Sequence, residues 1–234
     1  MERDSDRVLS VAPMIQWTDR YWRFMMRQIT RETLLYTEMI MDQALLNNLH
    51  RLEDFLGMYR GEECPLAVQL GGSTVQELAE AAWICEKHGS YSEINLNTGC
   101  PSNKARRGGF GAELMLNPEL VRQLVDGMSR RVTHTPITVK CRLGVTGRET
   151  WEQLREFVEA CRAGGVRRLI VHARCCVLRG LSPAQNRSVP PLRQEDVHRL
   201  VAEYPDMSIV LNGGVTSLGE AADHLGLERE RERE

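Results

Sequence analysis

Cys100 stands in a loop between Gly99 and Pro101, directly after a run of alternating polar residues. Free thiols titrate at about 8.5, so at neutral pH a thiol serves as a proton donor as readily as a nucleophile. No base adjoins Cys100 in sequence, which leaves a cysteine–histidine protease dyad with little support. A second kind of chemistry is written at the ends of other β-rich runs. Ala12-Pro13-Met14 follows the first, Gln69 closes another and leads into Gly71-Gly72, and Asn95 and Asn97 share one face of a third. Lys140 ends the next, with Arg142 on its face; His172, then Arg174, and Asn212-Gly213-Gly214 close the last two. This set suits a flat, polar, phosphate-bearing cofactor. Gln69 offers a donor and an acceptor to an amide-like ring edge. Lys140 suits negative charge developing on a ring as it is reduced. Asn212-Gly213-Gly214 exposes backbone N–H groups ahead of a helix expected from Ser217, a phosphate-binding arrangement. Taken singly, each has a plain structural alternative: a strand-end amide satisfying backbone groups, a structural histidine, a glycine turn.

The elements that must position these residues follow from periodicity. Strands are expected at 8–12, 33–37, 66–70, 92–97, 137–140, 168–172 and 208–212. Helices are expected at 75–88, 118–131, 150–163 and 194–203. In the first of these, Val75, Leu78, Ala79, Ala82 and Trp83 form an apolar stripe, with Thr74 or Ser73 as its cap and Glu77 three residues after Thr74. Asn117 before Pro118 marks a helix start. Strands alternating with helices imply an α/β fold with a parallel sheet. Seven units without a break in composition fit a TIM-type (β/α)8 barrel better than an open doubly wound sheet, and no Gly-x-Gly-x-x-Gly follows the first strand. An eighth strand is expected to begin roughly 25–40 residues after the seventh, and the sequence ends at Glu234. The expectation is a barrel incomplete after the seventh strand, with residues 1–226 as the barrel domain and 227–234 as a charged low-complexity tail. Such a barrel has two open sheet edges. A second phosphate loop after the eighth strand is likewise not expected in these residues; the alternatives are a partner chain that completes the barrel, a fragment of a longer protein and an aberrant gene product.

Composition narrows the class. Of 234 residues, 42% are hydrophobic and 26% charged, which argues against wholesale disorder. No stretch nears the roughly 18 consecutive apolar residues of a membrane span, so no membrane partner is expected. The net charge of −2 is not that of a non-specific nucleic-acid binder. Two basic clusters, Lys104 with Arg106 and Arg107 and the arginines between 162 and 187, read first as solvated surface. The seven cysteines include no Cys-x-x-Cys pair, so no metal site is expected, and with no secretion signal read in the sequence no disulfide framework is expected. Most of them read as small buried hydrophobes, and the expected location is the cytoplasm.

The ordered motifs resemble the tRNA-dihydrouridine synthases. The resemblance is carried by Ser10-Val-Ala-Pro-Met-Ile-Gln-Trp-Thr-Asp19, Leu34-Leu-Tyr-Thr-Glu-Met39 and Gln69-Leu-Gly-Gly72. It is strongest at Glu93-Ile-Asn-Leu-Asn-Thr-Gly-Cys-Pro-Ser102 and Gly108-Gly-Phe-Gly-Ala112. Val139-Lys-Cys-Arg-Leu-Gly144, Val171-His-Ala-Arg174, Gly180-Leu-Ser-Pro183, Asn186-Arg187 and Leu211-Asn-Gly-Gly214 follow in the family's order. It covers about residues 8 to 226 and is closest to the branch acting on uridines 20 and 20a of the D-loop. Val145-Thr-Gly147 and Cys175-Cys176 depart from the residues more usual after their motifs.

The resemblance implies an FMN-dependent oxidoreductase that reduces the C5=C6 bond of a tRNA uridine, with NADPH as reductant. Cys100 is then the catalytic acid, giving a proton to C5. Pro13, Met14 and Ile15 contact the flavin through their backbones, Gln69, Lys140 and His172 bind its ring and ribityl region, and Asn212, Gly213 and Gly214 hold its phosphate. Asn97, Pro183, Asn186 and Arg187 face the tRNA. The family's C-terminal tRNA-binding helical domain has no counterpart in these residues. No metal and no oligomer are expected. The competing readings are a catalytically impaired, truncated family member and a flavin barrel that reduces a free pyrimidine.

Overall fold

The computed structural model describes residues 9–58 and 64–226. The charged tail expected at 227–234, and Val8 of the first expected strand, lie outside the described residues. Seven strands lie parallel in one sheet whose spatial order is the chain order: β1 (Ser10–Val11), β2 (Leu34–Met41), β3 (Leu66–Gly71), β4 (Glu93–Asn97), β5 (Ile137–Arg142), β6 (Arg168–His172) and β7 (Ser208–Asn212). Sequential parallel order is what successive right-handed βα units produce. The fold is a TIM-type (β/α)8 barrel lacking one strand among the described residues. There β1 and β7 each have a single strand neighbour.

Helices join the strands: α1 (Arg20–Arg27), α2 (Asp42–Leu46), α3 (Leu52–Leu56), α4 (Val75–His88), α5 (Asn103–Arg107), α6 (Pro118–Arg131), α7 (Trp151–Ala163), α8 (Gln194–Glu203) and α9 (Leu218–Leu225). Their starts are set by side chains. Asn117 Oδ1 accepts from Leu120 N at 3.1 Å, with Pro118 in the first turn of α6. Thr150 and Gln153 form a reciprocal capping box on α7, and Ser217 caps α9. The cap expected for α4 is not made. Thr74 occupies the cap position without a side-chain bond, and Ser73 Oγ donates instead to Gly108 O at 3.1 Å. The buried face of α4 is also rotated from the expected stripe. It consists of Leu78, Ala81, Ala82, Ile84 and Cys85, while Trp83 lies half-buried under the Arg131 guanidinium, 4.4 Å from its ring centre.

Strand alternation divides the sheet into two unlike faces. Leu66, Val68, Leu70, Ile94, Leu96, Ile137, Val139, Cys141, Leu169 and Val171 point outward and join the helices in the main apolar core. Their neighbours Gln69, Glu93, Asn95, Asn97, Thr138, Lys140, Arg142 and His172 point inward. The inner apolar cluster is small: Leu34, Tyr36 and Ala67. The barrel interior is therefore a polar space walled by a sheet whose stability comes from its outer face. One irregularity re-aims a residue. The β2–β3 register passes from Tyr36↔Ala67 to Met39↔Gln69, a bulge that turns Met39 toward the interior beside Gln69.

Five cysteines, Cys85, Cys141, Cys161, Cys175 and Cys176, are buried, as expected of small hydrophobes. Burial pushes the Cys141 thiol up to about 12 and the Cys176 thiol up to about 11. Only Cys64 is exposed and only Cys100 half-buried. A thiol reagent is accordingly expected to label Cys64 and Cys100 in the native chain and all seven after unfolding, as read by peptide mass spectrometry. Rapid native labelling of any of the other five would contradict this packing. No described helix is long and apolar enough to cross a membrane.

Candidate active site

A cleft of about 1500 Å³ opens at the carboxyl ends of the strands and extends down the gap between β7 and β1. This is where barrel enzymes place their chemistry. All of the residues given a catalytic, cofactor or tRNA role by the resemblance line it except Asn186; of the other strand-end residues named from sequence, Gly71, Gly72, Asn95 and Arg174 do not. Strand register brings them level: Met39 beside Gln69, Asn97 beside Lys140, Arg142 beside His172, and His172 beside Asn212.

The Cys100 loop is tied from four directions. Asn97 Oδ1 accepts from the N–H groups of Gly99 and Cys100 at 3.1 and 2.9 Å. Cys100 O accepts from Ala112 N at 2.9 Å. Arg142 Nε donates to Gly99 O at 3.0 Å and its Nη1 to Asn186 O at 2.8 Å. Gly111 closes the fourth side with φ of +65°; a Cβ there would stand 2.7 Å from Cys100 O. Cys100 is thus presented by a fixed turn on the cleft wall, half-buried, in a cleft that Lys140, Arg142 and His172 also line.

The electrostatics of the cleft are one-signed. Lys140, Arg142, Arg168 and Arg187 line it, and no carboxylate does among the described residues. Burial, then the charge on Arg142, pulls Lys140 down to about 8, and its Nζ donates to Asn212 Oδ1 at 3.0 Å. At pH 7 it remains mostly charged. Burial, followed by the cations Arg142, Lys140, Arg174 and Arg187, pulls His172 down to about 3, so its imidazole is neutral. Such a cleft favours an anion with ring-edge hydrogen-bonding groups.

At the strand β7 end, Gly213 and Gly214 have φ of +95° and +82°. A Cβ on Gly213 would lie 2.5 Å from His172 Cδ2, and one on Gly214 2.3 Å from Leu192 Cδ2. Only glycine fits either position, and Gln194 Nε2 holds Gly213 O at 3.1 Å. This bare backbone, beside Lys140 and ahead of α9, fits a phosphate-bearing group.

Several anticipated roles are revised. Asn186 is fully buried; its amide bonds Val177 N and O and Ser182 O, so it folds the rim loop instead of facing a ligand. Asn97 reaches the cleft, but its side chain is spent mainly on the Cys100 loop and Gln69. Met14 lines the cleft with its side chain exposed, while its backbone N–H and C=O are bonded to Thr18 and Trp17. Gly71-Gly72 serves packing, because a Cβ on Gly72 would stand 2.0 Å from Asp42 Oδ2. Pro13, Ile15, Pro183 and Arg187 line the cleft as anticipated, the last three exposed. The two departures from the usual motifs meet at the rim: Thr146 N donates to Cys176 O and Cys176 N to Gly144 O, both at 2.8 Å. Sequence reading missed Met39, whose bulge carries no residue signal, and the clip made by Arg142, legible only in its alternation with Thr138 and Lys140.

A family model described as dihydrouridine synthase matches residues 10–227, which covers the whole sheet and every residue discussed above. The chain belongs to the dihydrouridine synthase family. A tRNA-dihydrouridine(20/20a) synthase of Shewanella oneidensis is 45% identical over 95% of this chain. Proteins of the same name from Synechocystis and Pseudomonas putida are 49% and 47% identical over 93% and 95% of it. The aligned chain spans 64–65% of the length of these relatives. The matched residues contain the Cys100 turn, the cation cluster and the two glycines.

Proposed function

We propose that this chain is the barrel of an FMN-dependent oxidoreductase that reduces the C5=C6 bond of D-loop uridines 20 and 20a in tRNA, with NADPH as the electron source. The observation that supports it best is a thiol fixed on the wall of a cationic cleft that has no carboxylate among the described residues and ends in a bare glycine backbone. The residues present fit FMN. Gly213 and Gly214 would take its phosphate, Lys140 and neutral His172 the polar side of its ring system, and Gln69 a ring edge. When bound, the flavin supplies the two electrons that saturate C5=C6. The chain's own part is the proton. Cys100 donates it to C5, as a positioned general acid, and the fixed turn keeps the thiol at one place on the wall. The uridine leaves its stack to enter, and the exposed Arg187 and Pro183 at the rim face the incoming RNA. With tRNA as substrate, the expected location is the cytoplasm.

Flavin binding tests the reading. Titrating FMN into the purified chain is expected to give a bound flavin absorption band. Affinity is expected to fall as pH rises through about 8, because Lys140 loses its charge there. Lys140→Met is expected to weaken binding by about tenfold at pH 7, the weight of one charge-assisted hydrogen bond, and to remove the pH step. Equal affinity and an equal pH profile in the variant would remove Lys140 from the flavin site. Reduction of a free pyrimidine without RNA would redirect the substrate assignment.

A further inference from the structure

A line of buried polar side chains crosses the barrel interior beneath the cleft, and its hydrogen-bond directions follow from chemistry alone. The backbone N–H groups of Gly99 and Cys100 can only donate, so the Asn97 atom they meet is its carbonyl oxygen. Asn97 Nδ2 must then donate to Gln69 Oε1, at 2.8 Å. Gln69 Nε2 in turn donates to Asn95 Oδ1, and Asn95 Nδ2 to Thr138 Oγ1, both at 2.8 Å. The Thr138 hydroxyl is left to donate to Glu93 Oε1, at 3.1 Å. Every donation runs the same way, from the Cys100 loop to one carboxylate. Tyr36 OH donates to the same Glu93 oxygen, and the Arg168 guanidinium lies 3.4 Å from the other. Tyr36, Gln69, Glu93, Asn95 and Thr138 are each at most 3% exposed, so none can exchange its partner for bulk water.

We propose that this one-way line is a positioning device in which Glu93 and Thr138 lock, from the far end, the Asn97 amide orientation that the Gly99 and Cys100 N–H groups select, and thereby stiffen the Cys100 turn. Glu93 and Asn97 are four residues apart on β4, about 13 Å at about 3.3 Å per residue. Each amide has a flipped alternative, but a flip at any point would set donor against donor in a low-dielectric interior. The carboxylate, which only accepts, and the backbone N–H groups at the other end, which only donate, favour the same direction. Removing the Thr138 hydroxyl leaves the Asn95 amide without its acceptor, so the line loses its anchor and Asn97 is held less firmly against the Cys100 loop. Thr138 and Glu93 touch neither the cleft nor a ligand in it, so they are positioning residues. The proposal rests on the reading of Cys100 as the acid only for its catalytic consequence.

The test reads the turn directly, in a Cys64→Ser background so that Cys100 is the accessible thiol. Thr138→Val keeps the shape and removes the hydroxyl; Thr138→Ser keeps the hydroxyl. Iodoacetamide is expected to alkylate Cys100 about threefold faster in Thr138→Val, the loss of part of one hydrogen bond, and at nearly the parent rate in Thr138→Ser. Amide exchange in a peptide covering residues 98–112 is expected to speed up in the first variant and not in the second. Parent-like alkylation and exchange in folded Thr138→Val, with only a lower melting temperature, would reduce Thr138 to a packing role and overturn the proposal. Should Thr138→Val not fold, Glu93→Gln carries the same test, because a neutral amide at 93 is a weaker acceptor and removes the charged anchor of the line. Parent-like rates there overturn the proposal equally. Full dihydrouridine formation by Cys100→Ala, together with faster alkylation in Thr138→Val, would discard the acid role of Cys100 and leave the positioning role standing.

Discussion

Alanine at Cys100 is expected to lower dihydrouridine formation by about 10²–10⁴-fold, the usual contribution of a positioned general acid. The assay is NADPH-driven, FMN-supplemented reduction of tRNA from a strain lacking the modification. On the proposed function the thiol gives the proton. Lys140 is tied to Asn212, Arg142 is clipped to three backbone carbonyls, and His172 is neutral and far below its ordinary range. FMN affinity is expected to stay within about twofold of the parent, because removing one partly exposed thiol group changes little binding area. Full activity in the variant would show that the proton comes from elsewhere.

The second large effect is expected at Gly213. Alanine there must adopt φ of +95° and place its Cβ 2.5 Å from His172 Cδ2. Left-handed backbone costs an ordinary residue about 1–2 kcal/mol, and forced overpacking about 1–3 kcal/mol more. Unfolding free energy is expected to fall by about 2–5 kcal/mol in a denaturant titration, and FMN affinity by at least about tenfold as His172 is displaced. Gly180 supplies the control. Its φ is +92°, and nothing lies within 4 Å of where a Cβ would stand, so Gly180→Ala isolates the backbone contribution. Equal destabilisation by the two substitutions would mean that His172 yields freely and that the Gly213 turn is not a tight fit.

Much of this is legible in the sequence because strands and helices are bounded by strong local signals. The helix over 118–131 begins at Asn117-Pro118 as expected, and the strands at 168–172 and 208–212 have the bounds read from their β-branched and aliphatic runs. The cleft residues are legible for a related reason. A polar side chain at the end of an otherwise apolar strand has few structural uses in a buried sheet. What escapes is long-range. The Met39 bulge depends on how β2 meets β3, and no residue in β2 encodes it alone. Asn186 reads as a rim residue until the 177–182 segment folds over it and consumes its amide. The stripe expected on α4 is off by about one position, since Ala79 and Trp83 lie to the side of the line that packs against α6 and β3.

The two unlike faces of each strand have a consequence for how such a protein can change over generations. In β5, Ile137 and Val139 answer to the helices outside, while Lys140 and Arg142 line the cavity and Thr138 lies beneath it on Glu93. Neighbouring codons are therefore under separate selective pressures, one for persistence of the fold and one for reactivity. Lys140, which faces the cavity, can be exchanged to suit a new ligand while the outer set goes on holding the scaffold, whereas Arg142 directly and Thr138 through the polar line are bound to the Cys100 turn.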